Sequence, residues 1–271
     1  MMDLTIAEAL ICQRIDTEAA RLTDDFGELA RLGCGIAVLD NLLPPELFEE
    51  AARSLPPKQA MIRRRSLGER KYCWAQTGHL PPTLRTCIAA FASRPVAEKL
   101  GRMLDLGALE PDETLYNGGV TLMAPGDFMR PHLDNSHDLR RRRRRRLAAL
   151  FYLSSPWQPE QGGNLTIWSR KPMRQIKTIA YKPNRLVLMQ VNESAWHSVD
   201  PVFGKADRAN LTTYFYDSAS TSEAVRLTRF MGWPGELATR AMLECQFHIR
   251  MAAQRLGGDR FVHNPHVNLP A

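Results

Sequence analysis

His132, Leu133 and Asp134 form a triplet whose first and third side chains can do metal chemistry. In extended backbone, residues i and i+2 project to the same face, so the imidazole and the carboxylate can grip one ion from one side. A third ligand must come from elsewhere. His197 is the best candidate, in the strand-like segment Ala195 to Val199, 65 positions after His132. Two imidazoles and one carboxylate on one face leave three adjacent coordination positions open. Such a set suits Fe(II), with room for a chelating co-substrate and O2. The triplet alone is a short pattern. His137 and Asp138 are near enough to compete as ligands, and His197 beside Trp196 also fits a core histidine.

Arg208 follows His197 by eleven residues and opens a strand-like run to Tyr216. An arginine projecting into a β barrel needs an anionic partner, because a buried unpaired charge is very costly. A dicarboxylate co-substrate supplies one, since the planar guanidinium holds a carboxylate through two parallel hydrogen bonds. The competing reading is a surface ion pair with Asp200 or Asp207.

The elements that must position these residues follow from the hydrophobic pattern. Residues 5–32 read as helical, with Ile6, Leu10, Ile15, Ala19 and Leu22 roughly on one face. Gly35 to Leu39 reads as a short buried strand. Pro44 and Pro45 open a helix near Glu46 to Ser54, and Pro56 and Pro57 close it. Residues 58–80 read as polar and irregular, with a basic patch at Arg63, Arg64 and Arg65. Two helices follow, near 82–92 and 95–105. From Leu115 the chain changes character. Short strands are expected at 119–124, 147–153, 164–168, 185–191, 196–202 and 208–216, punctuated by Gly, Pro and Asn. After 218 a helical period returns, with Leu237, Ala241, Cys245, Ile249, Ala252 and Leu256 as one stripe. Helices, then strands, then a helix predict a β core flanked by α elements.

The 271 residues carry 36 Lys and Arg against 29 Asp and Glu, a formal charge of +7. Seven of the 36 stand together at Arg140 to Arg146, leaving 29 basic against 29 acidic. The charge is therefore local, which argues against a protein coated by nucleic acid. Hydrophobic content of 44% and charged content of 24% argue against disorder. No apolar run is long enough to span a membrane, and the first residues lack the pattern of a secretory leader. The five cysteines are scattered and odd in number, which points to a reducing cytoplasm and away from a disulfide framework.

Over Leu122 to Asp217 the motifs come in a definite order. Ala124, Pro125 and Gly126 form a turn, followed by Arg130 to Asp134, Phe151 to Leu153, and Trp157. Gly162 to Leu165, Pro183 to Val187, Trp196 to Val199 and the strand from Arg208 complete the set. This stretch resembles the 2-oxoglutarate- and Fe(II)-dependent oxygenases, in particular their prolyl 4-hydroxylase-like branch. The resemblance implies a single oxygenase domain with a double-stranded β-helix (jelly-roll) core. Residues 115–217 would form that core, 1–114 a mostly helical support and 218–271 a C-terminal helical segment. It implies iron bound by His132, Asp134 and His197, with Arg208 on the distal carboxylate of 2-oxoglutarate. Tyr152 would contact the same carboxylate, and Leu165 and Thr212 would line the co-substrate pocket. The activity implied is oxidation of an unactivated C–H bond, using O2 and releasing succinate and CO2.

Departures narrow the expectation. Similar oxygen-sensing enzymes carry a tyrosine before the Pro-Gly turn, where this chain has Ala124, and their substrate loops are not recognisable in 58–80. The hydroxylase type therefore transfers better than a prolyl substrate does. Asp134 argues against halogenation, for which a small residue leaves room for the halide. The expected substrate is a small molecule, a carrier-tethered group or a peptide, in a protein with no membrane partner. The arginine block, expected in the connection 135–147 at the barrel rim, reads as a solvated rim, an anion-binding patch or a dock for an acidic carrier. Arg208, Asn210 and Thr212 also match part of a signature of nucleic-acid dealkylating oxygenases, but Tyr214 stands where those enzymes place a second arginine. A metal-binding barrel without turnover is the remaining alternative.

Overall fold

In the computed structural model of the protein, residues 3–169 and 174–257 are described. Five helices lead: α1 (Leu4–Thr17), α2 (Ala19–Arg31), α3 (Pro45–Arg53), α4 (Pro82–Phe91) and α5 (Arg94–Met103). Between them lie β1 (Ile36–Asp40), β2 (Ile62–Arg65) and β3 (Arg70–Trp74). β4 (Leu109–Pro111), β5 (Gly119–Met123), β6 (Met129–Leu133) and β7 (Arg145–Tyr152) follow. Then come β8 (Leu165–Trp168), β9 (Gln175–Ile179), β10 (Arg185–Gln190), β11 (Trp196–Val199), β12 (Arg208–Asp217) and β13 (Arg229–Phe230), and α6 (Leu237–Gly257) ends the described chain.

The strands form two antiparallel sheets. The larger has the order β1-β10-β7-β12-β5-β3-β2, with β4 also paired to β12, and the smaller has β13-β6-β11-β8-β9. This is the mainly β jelly-roll core with flanking helices that the sequence predicts. Three central strands of the larger sheet, β10, β7 and β12, are largely buried on both faces because both faces are covered. On the helix side Leu147, Ala149, Phe151, Leu186, Leu188, Leu211 and Phe215 join Ile11, Leu84, Phe91 and Leu100 in one core. On the inner side Ala148, Tyr152, Val187, Met189, Tyr214 and Tyr216 meet Leu165, Ile167 and Val199 of the smaller sheet.

Local signals explain the helix ends. Asp3 caps α1, its carboxylate accepting from the backbone N–H of Thr5 at 2.9 Å and of Ile6 at 3.2 Å. The buried face of α1 is Ala7, Ile11 and Ile15, whereas Ile6 is exposed. The expected stripe had therefore taken the wrong phase at its start.

Larger corrections fall on three segments. Residues 58–80 are not irregular: β2 and β3 form a hairpin that extends the larger sheet beside β5. Their arginines and lysines hide the alternation, as charged residues do on edge strands. The stripe expected on α6 is exposed at Leu237, Ala241, Cys245, Ile249, Ala252 and Leu256, while Leu243 and Gln254 are buried. The arginine block is not one rim connection, because β7 begins inside it and Arg145 is 1% exposed. Arg145 donates to Tyr116 O at 2.9 Å and the Tyr216 hydroxyl at 3.1 Å, and its guanidinium lies 3.4 Å from the Tyr214 ring centroid. Arg143, Arg144 and Arg146 pair with Asp138, Glu223 and Asp217.

Among the described residues no helix is long and apolar enough to cross a membrane, and all five cysteines are free. Residues 258–271 of the expected C-terminal segment lie outside the described residues.

Candidate metal centre and active site

The separation of 65 residues between His132 and His197 vanishes in the sheet. β6 and β11 are antiparallel neighbours, and the two histidines are register partners with ring centroids 4.1 Å apart. Asp134 lies just beyond the end of β6, on the same side as His132, with its Oδ1 3.8 Å from His132 Nε2. One ligand atom from each of the three residues falls within 4.8 Å of the others. Phe230 of β13 stacks on His132 at 5.0 Å and closes the outer flank.

The remaining ring nitrogens fix the tautomers. His132 Nδ1 donates to Arg130 O at 2.8 Å, and His197 Nδ1 donates to Ala195 O at 3.0 Å. In each ring the Nε2 lone pair is then the one left for a metal, which is how ligating histidines are generally held. Burial, reinforced by the charge of His197, pushes His132 down to about 3, so it is neutral and available as a ligand. Burial alone would raise the Asp134 carboxyl. The neighbouring His197, His132 and Arg145 outweigh it and hold the group ionised, below its ordinary range. His137 and Asp138 fall outside this cluster. His137 Nδ1 bonds Ser136 Oγ at 2.7 Å, and Asp138 accepts from the N–H of Arg142 and Arg143 and from Arg143 Nε.

The triad lines a cavity of about 770 Å³, together with Arg208, Leu165, Thr212, Asn210 and Tyr214. Residues 208, 210, 212 and 214 alternate along β12, so they share its inner face. Arg208 is 1% exposed and makes no ion pair among the described residues. Its Nε donates to Gly163 O at 2.7 Å and its Nη1 to Asn210 Oδ1 at 2.8 Å. Asn210 Nδ2 in turn donates to Thr212 Oγ1 at 2.8 Å, so three inward side chains of β12 hold one another. The surface partners considered from sequence are used elsewhere: Asp207 pairs with Lys58, and Asp200 accepts from Thr166.

Gly163 has φ +64, and a Cβ there would stand 2.7 Å from Arg208 Cδ. Glycine is needed both for the backbone and for the arginine to pass. Tyr152 lies behind the cavity wall, its ring stacked on Tyr181 at 4.4 Å and 4.9 Å from the Arg208 guanidinium carbon. Its buried hydroxyl has no hydrogen-bond partner. A buried guanidinium without a carboxylate and an orphaned phenol beside it fit a group that brings anionic oxygens.

Sequence reading did not single out Lys71, Glu69 or Arg250 and placed Arg145 with the block at the rim, whereas all four lie in or beside this region. The inward period of β12 would have pointed to Asn210 as a partner of Arg208. Nothing local marks Arg250, because the α6 stripe was phased to the other face.

Residues 118–216 match the family model described as the 2OG-Fe(II) oxygenase superfamily. This segment, about a third of the chain, is a 2OG-Fe(II) oxygenase domain, the class of enzyme that uses Fe(II), 2-oxoglutarate and O2. His132, Asp134 and His197 fit its iron site. Solved structures with the same fold include a prolyl-4-hydroxylase of Pseudomonas putida, with 22% identity and TM-score 0.52, covering 73% of this chain and 100% of that one. A 2OG-Fe(II) oxygenase-family oxidoreductase of Burkholderia pseudomallei shares 14% identity at TM-score 0.50, covering 74% and 92%. The non-heme alpha-ketoglutarate-dependent epimerase SnoN of nogalamycin biosynthesis shares 15% at TM-score 0.51, covering 76% and 85%. The comparison with curated proteins gives no match.

Proposed function

We propose that the protein hydroxylates an unactivated C–H bond of a small-molecule, carrier-tethered or peptidyl substrate. The observation that carries this reading is one cavity holding both the His132, Asp134 and His197 ligand set and a buried Arg208 that lacks a carboxylate partner. When bound, Fe(II) with 2-oxoglutarate and O2 supplies the oxidising chemistry and yields succinate and CO2.

The chain's own residues have three tasks. His132 and His197 would hold the metal through Nε2, kept in place by their Nδ1 bonds to Arg130 O and Ala195 O. Arg208 would bind the distal carboxylate of 2-oxoglutarate through the guanidinium face not used by Gly163 and Asn210, and the Tyr152 hydroxyl would donate to the same group. Leu165 and Thr212 would wall this inner pocket, and the apolar strands behind it would keep water away. The N-terminal helices back the larger sheet through a shared core, so the domain proposed is one catalytic unit.

Incubation with Fe(II), 2-oxoglutarate and O2 is expected to release succinate, slowly without substrate and faster with it. A metabolite screen on succinate release would identify the substrate. Absence of succinate under all conditions, with iron bound, would overturn the reading.

A further inference from the structure

The outer half of the cavity carries charge that iron and 2-oxoglutarate do not use. Its wall offers Arg63, Arg64, Arg65, Lys71, Arg208 and Arg250 against only two carboxylates, Glu69 and Asp134. Asp134 and Arg208 belong to the inner site. Arg63 is committed to Asp127 through two 2.6 Å bonds, and Lys71 to Glu69 at 3.0 Å. Arg64 shares that same Glu69 carboxylate at 3.1 Å. Arg65 and Arg250 make no ion pair among the described residues. Among the described residues Arg250 hydrogen-bonds only to Thr228 O, at 3.4 Å.

These cations come from two elements that face each other across the mouth, β2 and α6. Partial burial and the neighbouring Arg64 charge both act against protonated Arg250. Glu69 stands among these cations but is shared by Lys71 and Arg64, so the concave wall keeps an excess of positive charge that focuses a field outward. A second observation points to a ligand at the same place. Gln254, one turn beyond Arg250 on α6, is 9% exposed, lines the cavity, and has a buried amide oxygen without a partner. A buried acceptor left open calls for a donor.

We propose that the outer cavity is a subsite for an anionic group of the substrate, a carboxylate or phosphate monoester on a small molecule. Arg64, Arg65 and Arg250 grip the anion, and Gln254 accepts from a neighbouring hydroxyl or amine. This deepens the hydroxylase reading and rests on it. Guanidiniums suit either anion, because both accept paired parallel hydrogen bonds.

The test is ligand-observed NMR titration of the full chain loaded with Zn(II) and saturating 2-oxoglutarate. The probes are phenyl phosphate, benzoate and neutral benzyl alcohol. At least one anion is expected to bind about tenfold or more tighter than benzyl alcohol, and the tighter of the two identifies the anion. R65Q and R250Q are each expected to weaken that anion by about tenfold, and a triple variant with R64Q to abolish the preference. All three side chains lie at the surface of folded elements, so thermal unfolding should confirm intact variants. The proposal falls if neither anion outbinds benzyl alcohol, or if the preference survives in the triple variant. It also falls if a short single-stranded oligonucleotide binds far tighter than phenyl phosphate and loses affinity in the same variants. Titration of 2-oxoglutarate in the same samples separates the two readings. A wild-type protein that binds the anions but not 2-oxoglutarate sinks the hydroxylase reading instead.

Discussion

His132 and His197 each have one imidazole nitrogen committed to a carbonyl two residues earlier and one left free for the proposed metal, and that arrangement sets what substitution will do. His132→Ala or His197→Ala removes a ligand from a buried site while leaving the sheet register to the backbone. Iron content by atomic absorption is expected to fall to background in both variants. Arg208→Ala is expected to act differently, because its side chain lines the cavity apart from the three ligand atoms, where the proposal places the co-substrate carboxylate. It is expected to raise the KM for 2-oxoglutarate about 10- to 100-fold, the value of a lost charge-assisted bond, with iron content little changed. Arg145 separates two readings of the arginine block. Arg145→Ala leaves a cavity and strips the buried Tyr116 carbonyl and Tyr216 hydroxyl of a donor, so denaturant unfolding should show a loss of about 2–4 kcal/mol. Arg140→Ala, in the turn before β7, should cost less than about 0.5 kcal/mol.

At the scale of elements, the strands that carry the site read clearly where one pattern dominated and were hidden where two overlapped. β5, β7, β10 and β12 are dense in apolar residues and bounded by Gly, Pro and Asn, so their positions were legible to within a few residues. β2 and β3 were not, because five of their nine residues are Arg or Lys. The α6 face was misread for a related reason. Its exposed aliphatics outnumber its buried ones, and only Leu243, partly buried Phe247 and Gln254 show which side packs. The grouping of His132, Asp134 and His197 with Arg208 in one cavity was legible because their residue types stand in short motifs. Arg250 was not, because its relevance comes from β2 across the cavity.

The edge of the larger sheet gives a pH prediction. Asp40 of β1 accepts from Arg185 of β10 at 2.6 and 3.0 Å and from Lys182 at 2.9 Å. The Arg185 hydrogen bond, aided by Lys182, holds its carboxyl at about 2 in spite of partial burial. A carboxylate depressed by folding stabilises the native state above its unfolded value, and that stabilisation is lost as pH falls from about 4 towards 2. With solvent screening of this partly exposed cluster, Asp40→Asn should cost about 1 kcal/mol at pH 7 and nearly nothing at pH 2. An equal difference between wild type and variant at both pH values in urea titrations would contradict this assignment.

Over the whole molecule, the +7 charge divides into parts with different roles. In the arginine block Arg145 is buried structure, and Arg143, Arg144 and Arg146 are paired. The cations that line the cavity come instead from β2, β3, β12 and α6. The jelly roll brings together residues from β6, β11 and β12 at the inner end of that cavity, and every functional assignment depends on their acting as one site. The direct test is anaerobic titration of the purified protein with Fe(II) and 2-oxoglutarate, read by visible absorption. A metal-to-ligand charge-transfer band should appear only when both are present, be lost in His197→Ala, and require much more 2-oxoglutarate in Arg208→Ala. A wild-type protein that shows no band with both present, and forms no succinate once O2 is admitted, would contradict the central claim.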